Sequence, residues 1–143
     1  MTIRPRAARN VRDLRTRLRD IAAASHATTV ATAERSREAL EAERRALDEH
    51  LDTAATELLE ARSIYDLQSV DEDTGVYRIA IADADKKYSD DTAQTKLSEA
   101  ALRERARQLR SSEKLVDRIE LSLQQREASN EQRANDDISA RRR

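Results

Sequence analysis

Arginine is the residue type whose number and spacing point most directly to a chemical role in this sequence. Seven arginines lie within the first twenty residues, where the only acidic residues are Asp13 and Asp20. A guanidinium group presents a planar fork of N–H donors that can bind a carboxylate at two points. We therefore expect this segment to bind carboxylates of a protein partner. The candidate binding residues are Arg4, Arg9, Arg12, Arg15 and Arg19.

Two other interpretations of these arginines remain open. A run of charged residues is usually a solvated helix face. Arginines also bind nucleic-acid phosphates, but this segment has no aromatic side chain on which bases could stack. The whole chain has 27 basic and 28 acidic residues, which gives a net charge of −1. We predict no nucleic-acid partner, and a steep salt dependence of DNA or RNA affinity would contradict this prediction.

The residue types that usually form catalytic or metal sites are not arranged for either role. His26 and His50 are too far apart on one helix to bind the same metal ion. Adjacent acids such as Asp90 and Asp91 point about 100° apart on a helix, which is typical of a solvated face. The sequence has no cysteine, no phosphate-binding glycine loop and no nucleophile motif. We therefore expect no enzymatic activity, no metal and no cofactor.

The composition favours helices over a thick globular core. Of the 143 residues, 38% are hydrophobic and 38% are charged, and the aromatic residues are three tyrosines. The chain is rich in the strong helix formers Ala, Leu, Arg, Glu and Gln, and it has one glycine and one proline, whereas disordered segments are rich in both. We predict an all-α fold, in which a single domain forms a long antiparallel two-helix coiled-coil hairpin.

The only glycine, Gly75, predicts the position of the turn in this hairpin. Glycine adopts a left-handed conformation without steric cost, and the Asp and Thr residues before it can bond nearby backbone groups. We expect the first helix over about residues 6–69, the turn over about 70–75 and the second helix over about 76–140. A break near Ser89, or a bundle in which each arm folds again, is the alternative.

A seven-residue repeat in the second half predicts the face that packs against the first helix. It is apolar at six of its eight positions, which are Ile81, Tyr88, Thr95, Leu102, Leu109, Val116, Leu123 and Asn130. The companion column, three residues further on, is mostly polar: Ala84, Asp91, Ser98, Arg105, Ser112, Ile119 and Arg126. Polar residues near a coiled-coil seam specify the register of the helices and lower their stability.

Two apolar registers in the first half do not share one heptad phase. The first comprises Val11, Leu14, Leu18 and Ile21. The second comprises Leu47, Leu51, Ala54, Leu58, Ala61 and Tyr65. An eleven-residue pattern can connect them through small residues if the supercoil unwinds locally. From Leu18, this pattern passes through Ala22, Ser25, Thr29, Ala33, Ser36 and Leu40.

The C-terminal half contains a pattern that resembles a known family. Its residues are Leu102–Leu109, Glu113–Arg118, Glu127, Glu131–Arg133 and Asp136–Asp137. This segment resembles the C-terminal arm of the FliJ/YscO family, the stalk proteins of flagellar and injectisome type III export machines. Family members have a Lys-Leu-x-x-Arg step on the second helix and then a Glu-Gln before a pair of acids. The chain length, the near-central turn and the two long arms are also similar.

The resemblance implies a central stalk protein of a bacterial type III secretion system. Its paired termini would enter the pore of a hexameric export ATPase and link the ATPase to the export gate and to secretion chaperones. The resemblance adds Glu131, Gln132, Asp136 and Asp137 to the candidate partner-binding residues. It leaves open whether the system is flagellar or an injectisome. Because residues 66–91 are acidic, the hairpin would have an acidic apex opposite its arginine-rich termini.

A scaffold that homodimerises is the alternative function. Each predicted apolar column is thin and could require a second chain, so light scattering would separate a monomeric hairpin from a dimer. For the location, the absence of cysteine fits a reducing cytoplasm, and no apolar run approaches the ~20 residues that span a bilayer. We expect a soluble cytoplasmic protein that reaches the membrane only through its partners.

Overall fold

The computed structural model describes residues 4–141, and over this range the chain forms two α-helices. Helix α1 spans Pro5–Glu60 and helix α2 spans Ile64–Arg141. The two helices pack against each other as an all-α helical hairpin, so the predicted fold class is confirmed. Proline occupies the first position of α1, where its missing N–H removes no helical hydrogen bond. The carbonyl oxygen of Arg4 accepts the first hydrogen bonds, from the N–H groups of Ala7 and Ala8.

The predicted turn at 70–75 is wrong, because the connection between the helices lies at residues 61–63. Gly75 lies inside α2, and no described residue has a positive φ. Thr74 does not compete with the helix, since its hydroxyl donates to the carbonyl oxygen of Val70 within α2 at 2.7 Å. The alternative break near Ser89 is also wrong, since α2 continues through it. One glycine costs a helix only about 1 kcal/mol relative to alanine.

Helix α2 begins with a reciprocal pair of side-chain caps. The hydroxyl oxygen of Ser63 accepts a hydrogen bond from the N–H of Asp66 at 3.3 Å. In return, the carboxylate of Asp66 accepts from the N–H groups of Arg62 and Ser63, both at 3.0 Å. The hydrogen bonds from the Arg62 backbone, the Ser63 side chain and the Ser63 backbone lower the pKa of Asp66 below 3.8. This capping box explains why α2 starts here.

The chain divides into two compact units. The terminal unit contains Met1–Ala23 and Ala101–Arg143, and the loop unit contains Ala24–Ala100. The terminal unit has 18 basic and 10 acidic residues, whereas the loop unit has 9 basic and 18 acidic residues. The net charge of the chain is near zero because the positive charge of the terminal unit offsets the negative charge of the loop unit.

The face of α2 that contacts α1 follows both predicted columns. From Ile81 to Leu123, the residues of the apolar column are buried or half-buried. Most of the polar companion column is buried to a similar extent, and Ser112 is 2% exposed. The exposed members of the two columns are Arg105, Arg126 and Asn130. The predicted apolar column is confirmed from Ile81 to Leu123, and the polar companion column also belongs to the seam.

The face of α1 that contacts α2 differs from the predicted one. It follows a single heptad phase in alternating steps of four and three residues, and it is mostly small or polar. Its members are Ala8, Arg12, Arg15, Arg19, Ala22, His26, Thr29, Ala33, Ser36, Leu40, Glu43, Leu47, His50 and Ala54. The predicted eleven-residue path is confirmed at Ala22, Thr29, Ala33, Ser36 and Leu40, which belong to this face, and it is wrong at Ser25, which is exposed. Leu14, Ile21, Leu51 and Leu58 of the apolar registers lie outside the seam.

Candidate partner-binding groove

Of the arginines predicted to bind a partner, Arg15 is the one most engaged within the chain. It is half-buried, and its Nη1 donates to the carbonyl oxygen of Gln108 at 2.8 Å and to the hydroxyl oxygen of Ser112 at 2.6 Å. Ser112 in turn donates to the same Gln108 carbonyl at 3.1 Å. Arg15 therefore joins α1 to α2 within the terminal unit.

Three other predicted arginines are paired with acids. Arg9 donates through Nε and Nη2 to one carboxylate oxygen of Glu120 on α2, at 3.1 and 2.8 Å. Arg12 and Arg19 each bind the carboxylate of the next residue, at 3.0 and 2.5 Å. All three pairs are largely exposed, so each contributes little to stability. These arginines keep part of their guanidinium surface open to solvent.

Arg4, like its neighbour Arg6, is exposed and forms no ion pair with any residue in the range 4–140. The first turn of α1 contains no acidic residue. Positive charge at a helix N-terminus opposes the helix dipole and costs about 0.3–1 kcal/mol per group. These arginines therefore do not stabilise the helix that bears them.

A groove of about 640 Å³ lies between the helices of the terminal unit. The apolar side chains that line it include those of Ala8, Val11 and Leu115. Five cationic side chains line it: Arg15, Arg107, Arg110, Lys114 and Arg118. Such a surface matches a partner that presents apolar and acidic side chains together.

Three of the groove's cations have no internal counter-charge. Arg110, Lys114 and Arg118 form no ion pair with any described side chain, whereas Arg107 lies 3.9 Å from a carboxylate oxygen of Glu104. Sequence reasoning missed these cations because they lie among acids in a helix of mixed charge. Their spacing of four residues, from 110 to 114 to 118, was the available signal, because it places them on one helix face.

The C-terminal residues predicted to bind a partner lie apart from the arginines. Glu131, Gln132, Asp136 and Asp137 are all exposed, and within residues 4–140 no hydrogen bond or ion pair joins them to α1. The last half-buried residue of α2 is Leu123. The structure therefore does not bring the two predicted sets together, and the role of these four residues stays a prediction.

The loop unit contains polar contacts across its seam. His26 Nδ1 and Thr29 Oγ1 lie 2.9 and 2.7 Å from the hydroxyl oxygen of Ser98. Nearby, the hydroxyl of Ser36 binds the carboxylate of Asp91. Among the described side chains, no buried nitrogen or oxygen lacks a hydrogen-bond partner. The polar columns of α1 and α2 therefore face each other and satisfy each other.

The second histidine occupies another layer of the loop unit's seam. His50 Nε2 lies 3.0 Å from the hydroxyl oxygen of Thr74, and the His50 ring stacks on Tyr77 with ring centres 4.7 Å apart. Over the residues that were searched, no three His, Cys, Asp or Glu side chains are grouped to bind a metal ion. Both histidines thus have structural partners in the seam.

No helix within the described range is both long enough and apolar enough to cross a membrane. Comparisons with protein-family models, curated proteins and solved structures find no match.

Proposed function

We propose that this chain is a non-enzymatic helical hairpin that binds an acidic surface of a protein partner through the groove of its terminal unit. The observation that carries the proposal is a row of three cations, Arg110, Lys114 and Arg118, which form no ion pair with any described side chain and line the groove together with apolar side chains. Charged groups around an apolar contact increase the association rate and select against partners of the same charge. Arg4 and the exposed parts of Arg9, Arg12 and Arg19 extend the positive surface along α1.

In its specific form, the proposal is a stalk protein of a bacterial type III secretion system. The partner is then the hexameric export ATPase, and the export gate and secretion chaperones are further partners. Three groove cations, Arg107, Lys114 and Arg118, lie in the segment that resembles the FliJ/YscO family. This overlap supports the specific form, because the resemblance depends on the sequence pattern and the groove depends on how the two helices pack.

The proposal is tested by affinity capture from the native cell with a triple variant, R110E/K114E/R118E. We expect the wild-type chain to capture a protein partner in a salt-sensitive manner and the triple variant to lose it. Arg9 and Arg15 are not suitable for charge reversal, because both contact α2 and their loss would perturb the helix pair.

A matched control is R35E/K86E/K87E, which changes the net charge equally at exposed positions of the loop unit. Equal capture by wild type and the R110E/K114E/R118E variant would overturn the role of the groove. Identification of the captured protein decides the specific form: a hexameric export ATPase supports it, and a partner with no relation to secretion overturns it.

A further inference from the structure

The loop unit has a second groove, of about 350 Å³, which is largely apolar and borders the seam at Ala54 and Thr74. Leu51 and Leu58 of α1 and Leu67 of α2 line it, and they are 44%, 48% and 46% exposed. Leu51 and Leu58 belong to the apolar register whose spacing predicted a helix contact. The seam contains His50 together with Leu47 and Ala54 of this register, so its members Leu51 and Leu58 remain available for another contact.

Gly75 lies beside this groove on α2, in a position that the fold of the single chain does not explain. Its φ is not positive, and a Cβ atom added to it would meet no other atom within 4 Å. Alanine would therefore fit here and would favour the helix. Close approach of a second backbone is a use of glycine that requires neither a positive φ nor contacts within the chain.

Two opposite charges flank Gly75 on the same side of α2. Asp71 precedes it by four residues and Arg78 follows it by three, and both line the apolar groove. Within the described part of the chain, neither forms an ion pair. They are separated by about 10 Å along the helix axis at ~1.5 Å per residue.

This arrangement is self-complementary under a two-fold axis. If α2 packs antiparallel against α2 of a second copy with the axis between Thr74 and Gly75, Asp71 of each copy faces Arg78 of the other. Both ion pairs then form at once, and the glycines lie at the crossing point. A two-fold contact uses the same surface on both chains, so one groove provides both halves of the interface.

We propose that a second copy of this chain covers the groove, with α2 crossing α2 near Gly75 and with reciprocal Asp71 to Arg78 ion pairs. Leu51, Leu58 and Leu67 are then buried between four helices. The occupant is a copy of the chain, because the charges that flank the groove complement themselves. This contact lies within the loop unit and does not depend on the partner of the terminal unit.

The test is sedimentation velocity over a concentration series that extends to about 1 mM, which includes weak association. We expect the wild-type chain to dimerise. D71R places like charges opposite each other twice, so we expect it to weaken the dimer about tenfold. R78D should weaken it similarly, and the double variant D71R/R78D should restore it, because the swapped charges complement each other again.

Two further variants serve as a charge-reversal control and as a test of the close approach at Gly75. D83R reverses a charge at an exposed position outside the groove and should leave the dimer unchanged. G75L favours the helix but separates the two backbones, so it should abolish the dimer while helix content measured by circular dichroism is retained. A wild-type chain that stays monomeric throughout the series overturns the proposal. A dimer that D71R weakens no more than D83R, or that the double variant does not restore, overturns the reciprocal pairing.

Discussion

Arg15 and Ser112 are joined across the helix pair by a hydrogen bond of 2.6 Å from the guanidinium Nη1 to the serine hydroxyl oxygen. The same nitrogen donates to the backbone carbonyl of Gln108. We predict that R15A lowers the free energy of unfolding by about 1.5 kcal/mol, because hydrogen bonds from charged donors contribute about 1.5–3 kcal/mol. Urea denaturation measures the change. R17A, at an exposed arginine, is the control, and an equal loss in both variants would contradict a specific role for Arg15.

Replacement of Gly75 by alanine should stabilise the chain. Gly75 lies inside α2 with a helical backbone and with open space around it. We predict that G75A raises the free energy of unfolding by about 0.5–1 kcal/mol, because alanine has less backbone entropy to lose. Thermal or urea denaturation in dilute solution, where self-association is minimal, measures this change. Destabilisation by G75A would place the turn at Gly75 after all.

The capping box at the start of α2 predicts a dependence of stability on pH. The pKa of Asp66 is lower in the folded chain than its ordinary value of 3.8, chiefly through the hydrogen bond from the Arg62 backbone. A carboxyl group with a lowered folded pKa stabilises the fold above the unfolded pKa, and this contribution disappears as the pH falls through the folded pKa. We predict that D66N has a smaller loss of stability on acidification below 3.8 than the wild type. Urea midpoints across this range measure it.

The other half of the capping box can be tested at neutral pH. We predict that S63A lowers the free energy of unfolding by about 1 kcal/mol, the usual effect of removing an N-cap hydroxyl. Ser69, an exposed serine inside α2, is the matched site, and S69A should be neutral or slightly stabilising. If S63A lowers the free energy of unfolding no more than S69A does, α2 does not begin with this cap.

The layer formed by His26, Thr29 and Ser98 should determine helix register at a cost in stability. S98A removes the shared partner of the other two side chains, and we predict a loss of about 1 kcal/mol. The triple variant H26L/T29L/S98L should instead be more stable than the wild type, because apolar replacement of a whole polar cluster is often stabilising. It should also show mixed oligomeric states in light scattering, since leucines do not select one pairing. A triple variant less stable than the wild type would contradict this prediction.

The sequence predicted the contact face of α2 better than that of α1, for a physical reason. In α2, the apolar column from Ile81 to Leu123 coincides with the seam, so hydrophobic periodicity identifies it. In α1, several large apolar residues, such as Leu14 and Leu51, lie outside the seam. The contact face contains Arg15, His26 and Ser36 instead. Their burial depends on partners in α2 that are far away in the sequence, and periodicity within one helix contains no information about them.

The sequence contains a better signal for the position of the turn than Gly75. Gly75 indicated a turn by its rarity, but a single glycine is tolerated within a helix of this length. The spacing of Ser63 and Asp66, a serine followed three residues later by an acid, is the capping-box pattern. The groove cations were less predictable, because whether Arg110 or Lys114 has a counter-charge depends on how the two helices are paired.

The part of α2 beyond Leu123 has a consequence for hydrogen exchange. From residue 124 to residue 140 every side chain is exposed, so no packing against α1 protects this segment. An unpacked helix of about 17 residues is only marginally stable in water. Its amide hydrogens should therefore exchange with solvent far faster than those of the seam. A partner that binds Glu131 or Asp136 must also stabilise this helical segment. Binding of such a partner should therefore slow the hydrogen exchange of these amides.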